Sequence, residues 1–263
     1  MKLLVLADLH LDLYYSEGLD PFGKVPKSQL QSVSHCILAG DLSDNGRKRW
    51  PAYLRWIAEQ VPGAEIYILP GNHDYYGGEI DAEDKLKAVA ATNGATYLQK
   101  SELIFGRQRF LCTTLWSDFE VYGDRVDNVR YAAKHMNDYS SIRIREAGYT
   151  KLKPVHTATI HADQRAWLDG RLADGFHGQT TVITHHAPHV SALTGTPSYG
   201  PCYASDLEAL ILAYQPERWI YGHTHHRIEF NVGRTVLANV SIGYPRQMEP
   251  VTDLHSFTFE LDE

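Results

Sequence analysis

Polar side chains that could bind a metal or move a proton recur after short apolar runs of this sequence. Residues 66–69 form one such run, and Gly71-Asn72-His73-Asp74 follows it directly after Pro70. Taken alone, these residue types also suit an ordinary turn. Similar groups follow four further apolar runs, and such a recurrence is difficult to explain by chance. The five groups are Asp8 with His10, Asp41 with Asp44, Asn72 with His73 and Asp74, His185 with His186, and His223 with His225.

The chemistry that these residue types favour is metal-assisted attack on a phosphoester. Carboxylate, imidazole and amide groups, without a thiolate, suit divalent Mn, Fe, Zn or Ni. Seven candidate ligands exceed what one tetrahedral ion needs, and they suit two adjacent ions that share a carboxylate. A pair of ions about 3.5–4 Å apart activates a bridging water and neutralises phosphate oxygens during in-line displacement at phosphorus. We therefore expect two divalent metal ions at this site.

The elements that must bring the five groups together are buried strands. Each group follows a short apolar run bounded by Gly, Pro or polar residues, which is typical of a strand that ends abruptly. In open α/β sheets, ligands bind beyond the carboxyl ends of the strands, so the five groups would share one basin. The predicted strands cover residues 2–7, 36–39, 66–69, 180–184 and 218–221.

Helices, a hairpin and a strand-rich tail complete the predicted fold. Helical spacing of apolar residues occurs near 28–33 and over 50–61, 81–93, 157–172 and 205–214. Around Gly106 a hairpin is predicted. Strands that alternate in the manner of an antiparallel sheet are predicted at 227–231, 235–239 and 256–261. This order indicates a layered α/β fold built as one domain over residues 1–263.

Residues 117–156 depart from this pattern. They are polar, with scattered aromatic residues and no clean period, apart from a partly helical stretch at 127–139. We interpret them as an insertion that could cap the site. A cap over the metals would determine the specificity, and it would favour a small phosphoester over a bulky polymer.

The composition restricts the class of partner. The chain has 263 residues and a formal net charge of -7. Such an acidic chain is a poor candidate for tight, non-specific binding to nucleic acid, which needs a basic face. Cys36, Cys112 and Cys202 have no CxxC spacing and favour a reducing compartment. The N-terminal apolar run is too short for a signal peptide, and no segment approaches membrane-spanning length, so we expect a cytoplasmic protein without membrane contact.

The ordered motifs resemble those of the calcineurin-like metallophosphoesterase superfamily, in its bacterial, dinuclear form. They are Asp8-x-His10, Gly40-Asp41-x-x-Asp44, Gly71-Asn72-His73-Asp74, His185 and Gly222-His223-x-His225. Each motif is weak alone, whereas the complete set from residue 8 to residue 225 is specific. The resemblance implies a four-layer αββα sandwich with mixed β-sheets and a dinuclear site at the sheet edges.

The resemblance also implies which residues bind the metals. Each ion would have three ligands of its own, and one carboxylate would bridge both ions. One ion would be bound by Asp8, His10 and His225, the other by Asn72, His185 and His223, and Asp41 would be the bridge. The family ligand follows its strand directly, which favours His185, although a shift of one residue would exchange it for His186.

His73 and Asp44 are the implied catalytic pair. In this pattern His73 faces the substrate, where it stabilises charge on phosphorus or protonates the leaving oxygen. Asp44 would accept a hydrogen bond from His73 and fix its tautomer, although Asp-Asn-Gly at 44–46 is also strong turn chemistry. Asp74 is expected to be a turn residue or to contact the metal ligands without binding metal itself. Gly71 is expected to give the turn its backbone freedom.

Other residues are expected near the site without binding metal, among them His189 and His226. Aromatic rings could stack on a base and an arginine could clamp a phosphate, although packing between loops would explain the rings equally well. These candidates are Tyr75, Tyr76, Trp116, Asp118, Tyr199 and Arg246.

These features predict a hydrolase that cleaves a small phosphodiester or phosphomonoester, for instance a nucleotide-like one, by in-line attack of a metal-bridging hydroxide. A DNA exonuclease of the repair-nuclease branch is one alternative, and the acidic charge weighs against it. A non-catalytic metal-binding scaffold is another, and the intact set of ligands weighs against it. A eukaryotic-type protein phosphatase is less compatible, because Asn45 and Asp74 stand where that branch carries Arg and Glu.

Overall fold

The computed structural model describes residues 1–194 and 200–262, and two large β-sheets form its centre. Successive side chains of a strand point to opposite faces of its sheet. In one sheet, Ile183 and Ile220 pack into a core shared with the other sheet. Their neighbours Val182 and Trp219 lie on the opposite face, in a second core that includes residues of two helices. The fold is therefore a four-layer αββα sandwich with mixed sheets, and the predicted fold class is confirmed.

The first sheet has four parallel strands and one antiparallel edge strand. In spatial order, its strands are β13 (Thr258–Glu260), β1 (Lys2–Leu6), β2 (His35–Ala39), β3 (Glu65–Leu69) and β4 (Ala95–Tyr97). Strands β1 to β3 are buried along most of their length. Burial on both faces explains why their sequences are continuous apolar runs without alternation.

The second sheet has four parallel strands between two antiparallel edge strands. In spatial order, its strands are β11 (Glu229–Val232), β12 (Thr235–Asn239), β10 (Arg218–Tyr221), β9 (Gln179–Thr184), β6 (Gln108–Thr113) and β5 (Ser101–Phe105). The tail differs from the predicted antiparallel sheet, because β12 is parallel to β10 and β13 joins the first sheet. Alternation of side chains is common to parallel and antiparallel strands, so this pattern alone does not identify a partner strand.

Helices pack against both large sheets. Outside the insertion they are α1 (Leu11–Ser16), α2 (Lys27–Gln31), α3 (Gly46–Gln60), α4 (Glu83–Thr92), α7 (Pro154–Ala173), α8 (Gly200–Tyr203) and α9 (Glu208–Tyr214). Helix α3 begins four residues earlier than predicted, so Pro51 lies in its second turn, where it removes a backbone hydrogen bond. Among the described residues, no helix is long and apolar enough to cross a membrane.

Residues 117–156 contain two complete helices, a small hairpin and the start of α7. These elements are α5 (Arg125–His135), α6 (Asp138–Ser141), β7 (Arg143–Ile144) and β8 (Thr150–Lys151). The hairpin was not predicted, because strands of two residues carry no periodicity. Backbone hydrogen bonds attach the insertion to the chain that follows β3: Gly77 N–H donates to the Ser141 carbonyl (3.0 Å), and Arg143 N–H donates to the Gly78 carbonyl (3.0 Å).

The two large sheets are joined where β1 and β12 end. Ala7 N–H donates to the Val240 carbonyl (3.1 Å), and Ile242 N–H donates to the Ala7 carbonyl (2.8 Å). One residue later, Gly243 N–H donates to the Asp8 carbonyl (3.0 Å). The chain after β12 therefore lies beside the carboxyl end of β1, at the edge where the candidate ligands are found.

Candidate metal centre

The loops that follow β1, β2, β3, β9 and β10 converge where the two sheets meet. Backbone hydrogen bonds continue from the sheet into these loops. The N–H groups of Asp8 and His10 donate to the carbonyls of Gly40 and Asp41, each at 3.0 Å. Because parallel strands end at the same edge, the side chains of five loops approach one another there.

Five candidate ligands have a left-handed backbone conformation. The φ angles are 56° at Asp8, 40° at His10, 56° at Asp41, 62° at His223 and 47° at His225. Such a conformation costs a residue other than glycine about 1 kcal/mol or more, and this strain concentrates at functional sites. The backbone thus departs from its preferred conformations at residues whose side chains could bind metal.

Asp8, His10 and His225 form one group of converging side chains. Nε2 of His225 lies 3.2 Å from Oδ1 of Asp8 and 3.2 Å from Nε2 of His10. The other ring nitrogen of His225, Nδ1, donates a hydrogen bond to Oε1 of Gln247 (2.7 Å). In neutral His225, Nε2 therefore carries a lone pair, which faces two other potential ligand atoms.

Asn72, His185 and His223 form a second group, in which Asn72 and His185 come from two other loops and His223 comes from the loop that carries His225. Nε2 of His185 lies 3.2 Å from Oδ1 of Asn72 and 3.4 Å from Oδ2 of Asp41. Nδ1 of His185 is already used, because it donates to the Ala39 carbonyl (3.1 Å). Nε2 of His223 is buried and has no hydrogen-bond partner among the described residues.

The Asp41 carboxylate lies between these two groups. Its Oδ2 is 3.4 Å from Nε2 of His185 and 3.8 Å from Nε2 of His10. Its Oδ1 accepts a hydrogen bond from the backbone N–H of His73 (2.9 Å), which fixes the orientation of the carboxylate. One carboxylate oxygen of Asp41 thus faces histidines of both groups.

The residues present fit divalent cations. Buried acceptor atoms that face one another are costly unless a cation lies between them. Burial alone would lower the pKa of His185, but the neighbouring Asp41 carboxylate raises it to about 9, so the metal-free site attracts a proton in place of an ion. Burial lowers the pKa of His10 to about 3, which keeps that imidazole neutral and able to bind metal. The described residues therefore include carboxylate and imidazole groups that could hold a divalent metal.

Two residues that hold candidate ligands in place were missed by the sequence analysis. Ser241 donates a hydrogen bond to Oδ2 of Asp8 (2.6 Å), and Gln247 accepts one from His225 (2.7 Å). Treating residues 235–239 as a parallel strand would have placed Ser241 at the correct edge of the sheet. No local signal in the sequence points to Gln247.

His73 and Asp44 are hydrogen-bonded to each other. Nδ1 of His73 lies 2.7 Å from Oδ1 of Asp44, and Nε2 lies 3.4 Å from the hydroxyl of Tyr244. Burial would lower the pKa of His73, but the carboxylates of Asp41 and Asp44 raise it to about 9. In the metal-free protein, the imidazole is therefore protonated at neutral pH.

Asp74 joins the loops after β2 and β3 to helix α3. Its carboxylate accepts hydrogen bonds from the backbone N–H groups of Asp41 (2.8 Å), Gly71 (2.9 Å) and Ser43 (3.3 Å) and from Nε1 of Trp50 (2.8 Å). Burial, with a smaller effect of the Asp41 carboxylate, raises the pKa of Asp74 to about 7.

The φ angle of Gly71 lies outside the left-handed region, so the expected backbone freedom is not its role. A Cβ at Gly71 would instead collide with Oδ1 of Asp41.

His185, and not His186, lies beside Asp41. The ring of His186 packs against the rings of Trp116 and His223, with centroids 5.2 Å and 4.0 Å away. Nδ1 of His186 is buried without a hydrogen-bond partner among the described residues. The structure therefore places His186 behind the converging groups.

Most aromatic and cationic residues predicted around the site do not line it. Tyr75 and Trp116 are buried and pack together, with ring centroids 6.2 Å apart. The side chain of Arg246 is 75% exposed and forms an ion pair with Glu17 (3.3 Å). Tyr199 lies outside the described residues. Of the predicted rings, only that of Tyr76 is among the described residues that line the cavity over the site.

Asp118 and His189 have partners outside the converging groups. Oδ2 of Asp118 is 3.6 Å from Nε2 of His161, which belongs to α7. His189 forms a separate group with two exposed carboxylates. His226 is half-buried next to His225.

A cavity of about 260 Å³ opens over the candidate metal centre. Asp41, Asn72 and His73 form part of its surface, and the insertion supplies residues 135–137. Aromatic residues missed by the sequence analysis, Tyr203 and Tyr244, supply further surface. The described residues that line the cavity include no Lys or Arg, and residues 195–199 contain neither.

Comparisons of the sequence with known proteins agree with this geometry. The model of the calcineurin-like phosphoesterase family matches residues 1–227. An uncharacterized protein of Acanthamoeba polyphaga mimivirus is 24% identical over 266 residues, which cover 92% of this chain and 91% of that protein.

Solved structures share the fold. A phosphopantetheinyl hydrolase from Mycobacterium tuberculosis has a TM-score of 0.70 at 16% identity, over 95% of this chain and 93% of that chain. A putative 5'-nucleotidase from Staphylococcus aureus has a TM-score of 0.51 at 15% identity, over 92% of this chain and 49% of that chain. With most of its length matched by the family model and a cluster of side chains that could hold a metal ion at the sheet edge, the chain belongs to the calcineurin-like phosphoesterase family and is a metal-dependent hydrolase of phosphoric esters.

Proposed function

We propose that this protein binds two divalent metal ions and hydrolyses a small phosphodiester or phosphomonoester. The position of Asp41 is the observation that supports the proposal most directly. Its carboxylate faces His10 in one group of acceptor atoms and His185 in the other. A carboxylate in such a position can bridge two adjacent ions and balance part of the charge of each.

The proposed ligands are those implied by the family pattern. Each ion has three ligands of its own and shares one carboxylate. Asp8, His10 and His225 bind one ion, Asn72, His185 and His223 bind the other, and Asp41 bridges both. The mixture of imidazole, carboxylate and amide oxygen suits Mn, Fe, Zn or Ni.

His73 is proposed to act on the substrate, with Asp44 as its partner. When bound, two such ions activate water and neutralise phosphate oxygens. Asp44 holds Nδ1 of His73, which leaves the proton on Nε2 available to the leaving oxygen. The Tyr244 hydroxyl, 3.4 Å from Nε2, indicates the direction in which that proton is donated.

The cavity supports a small substrate with one phosphoryl group. Its volume is about 260 Å³, and its described lining includes no Lys or Arg that could bind further phosphates. Tyr76, Tyr203 and Tyr244 give the cavity lining aromatic surface that an organic group such as a nucleotide base could contact. The names of the two structural relatives, a phosphopantetheinyl hydrolase and a putative 5'-nucleotidase, agree with a small phosphoester substrate.

Residues 117–156 are proposed to cap the metal centre, as part of a single domain that spans residues 1–263.

The two alternative functions have less support. A DNA exonuclease needs cationic side chains along the backbone of the nucleic acid, and the acidic chain offers no Lys or Arg in the described cavity lining. A non-catalytic scaffold does not need a histidine held by a carboxylate beside the ligands, as Asp44 holds His73 here.

Hydrolysis of bis(p-nitrophenyl) phosphate and p-nitrophenyl phosphate tests the proposal. Metal-free protein is reconstituted with Mn²⁺, and turnover is measured as the ratio of metal to protein increases. We expect turnover to rise until two ions are bound per chain and to be abolished by a chelator. Metal-replete protein without turnover on any phosphoester would contradict the proposal.

A further inference from the structure

We propose that Asp138 is a positioning residue that holds the amide of Asn72 with its oxygen toward the metal centre. The inference rests on the proposed function, in which Asn72 is a metal ligand. It gives the insertion 117–156 a part in metal binding, in addition to its place in the cavity wall.

A short hydrogen bond in the interior joins Asn72 to Asp138. Nδ2 of Asn72 donates to Oδ1 of Asp138 at 2.7 Å. Oδ1 of Asn72 lies 3.2 Å from Nε2 of His185, on the other side of the amide. One end of the amide therefore faces the insertion, and the other end faces the side chains that would bind an ion.

The carboxylate of Asp138 selects this orientation of the amide. An ionised carboxylate only accepts hydrogen bonds, whereas the Asn side chain has a donor end and an acceptor end. If the amide turned by half a rotation, its oxygen would face Oδ1 of Asp138 and the two acceptors would repel. A metal ion also requires the observed orientation, because it binds the amide oxygen and not the NH₂ group. Asp138 thus orients Asn72 before an ion arrives, as hydrogen-bonded neighbours commonly do for metal ligands.

The burial of Asp138 is difficult to explain by packing alone. The residue is 3% exposed. Among the described residues, no Lys or Arg forms an ion pair with it. Its other hydrogen-bond partner is the Tyr76 hydroxyl (3.1 Å). A buried carboxylate that forms no ion pair with Lys or Arg is costly in a fold, even with the ring of His73 near enough to attract it, so packing alone would favour an apolar side chain here.

The insertion is fastened to the segment that carries Asn72. The carbonyl of Ser141 accepts a hydrogen bond from Gly77 N–H (3.0 Å), and the carbonyl of Arg143 accepts one from Ile80 N–H (2.9 Å). Helix α6, which begins at Asp138, is thereby held against the chain that follows β3. The preceding residues 135–137 line the cavity, so one segment of the insertion both borders the cavity and orients a ligand.

Metal binding by the intact protein, measured without substrate, tests this inference. Metal-free protein is titrated with Mn²⁺ by equilibrium dialysis. The variant Asp138→Leu removes the acceptor at similar volume, and we expect it to bind one ion normally and the second about 10- to 100-fold more weakly. The variant Asp138→Asn retains an acceptor oxygen but also offers an NH₂ donor to the turned amide, so the second ion is expected to bind with an affinity between those of the wild type and Asp138→Leu. Ser140→Ala, at an exposed position of the same helix, is the matched control and should change nothing.

The outcomes separate this inference from the proposed function. Unchanged affinity for both ions in Asp138→Leu would overturn the inference, and so would an equal loss of affinity for the two ions. A wild-type protein that binds fewer than two ions would contradict the proposed function itself.

A measurement on the wild-type protein applies even if Asp138→Leu does not fold. In NMR spectra of the metal-free protein, one side-chain NH₂ proton of Asn72 should be shifted downfield by the carboxylate and should exchange slowly with water. Asn231, which is exposed, is the reference. Two Asn72 resonances with the shift and exchange rate of Asn231 would overturn the inference.

Discussion

The Ser241 hydroxyl donates a 2.6 Å hydrogen bond to Oδ2 of Asp8. Ser241 follows β12 of the second sheet, whereas Asp8 follows β1 of the first. The backbone N–H of His223, also from the second sheet, donates to the same oxygen at 2.9 Å. A candidate ligand from one sheet is therefore held by donors from the other, and its position depends on how the two sheets pack.

The variant Ser241→Ala removes this connection. We expect the free energy of unfolding of the metal-free protein to fall by about 1–3 kcal/mol, because a buried charged acceptor loses a donor. Affinity for one ion should fall by about 10-fold, because Asp8 is less firmly oriented. Urea denaturation and Mn²⁺ titration measure the two effects, with Ser16→Ala at an exposed position as the control. Metal affinity equal to that of the wild type would show that Ser241 does not position Asp8.

The variant Asp41→Asn should lose metal and activity together. A neutral amide cannot balance the charge of two ions, so bound metal should fall to one ion or fewer per chain. Turnover of bis(p-nitrophenyl) phosphate should fall by about 10³-fold or more, since metal ions contribute several kcal/mol to such reactions. Asp163→Asn changes an exposed carboxylate and is the matched control. Retention of two ions in Asp41→Asn would be inconsistent with a bridging role.

The variant His73→Ala should keep the metal and lose turnover. Loss of a general acid typically costs about 10²- to 10⁴-fold in rate, whereas the proposed ligands remain intact. The loss should be smaller for p-nitrophenyl esters than for alkyl esters, because p-nitrophenolate leaves without protonation. Metal content and kcat for both ester types are the measurements, and unchanged turnover in His73→Ala would refute the assigned role.

The stability of the metal-free protein should fall as the pH rises from 6.5 to 9. The pKa values of His73 and His185 are raised from 6.5 to about 9 in the folded chain, because the Asp41 carboxylate outweighs burial at both. The stabilisation is complete below pH 6.5, where both states are protonated, and it is lost as the pH passes the folded value. The expected loss is on the order of 3 kcal/mol, since both imidazoles depend on the same carboxylate. Urea denaturation with a chelator present measures it, and stability that is constant or increases over this range would contradict the expectation.

The strands that carry the candidate ligands were predictable because each is a buried parallel strand with an abrupt polar end. The observed bounds of β10 (Arg218–Tyr221) are those predicted from its apolar run. The following loop carries His223 and His225, whose residue types made the metal chemistry recognisable without knowledge of contacts. Local composition was sufficient at these positions because one short segment both forms the strand and supplies the side chains.

The residues that orient the ligands were not predictable, because their roles depend on contacts across the chain. Asp138 lies 66 positions from Asn72, and Ser241 lies 233 positions from Asp8. Neither residue is adjacent to one of the recognised motifs, and the spacing of apolar residues around them does not reveal which parts of the fold they contact. Asp74 illustrates the same limit, since its four hydrogen-bond donors come from three segments that only the fold brings together.

Anomalous diffraction from crystals of the Mn²⁺-loaded protein tests the central claim most directly, because it locates each ion. Two peaks about 3.5–4 Å apart are expected, on either side of the Asp41 carboxylate. One peak should lie beside Asp8, His10 and His225, and the other beside Asn72, His185 and His223. A single peak, or a second peak that Asp41 does not contact, would contradict a centre of two ions bridged by this residue.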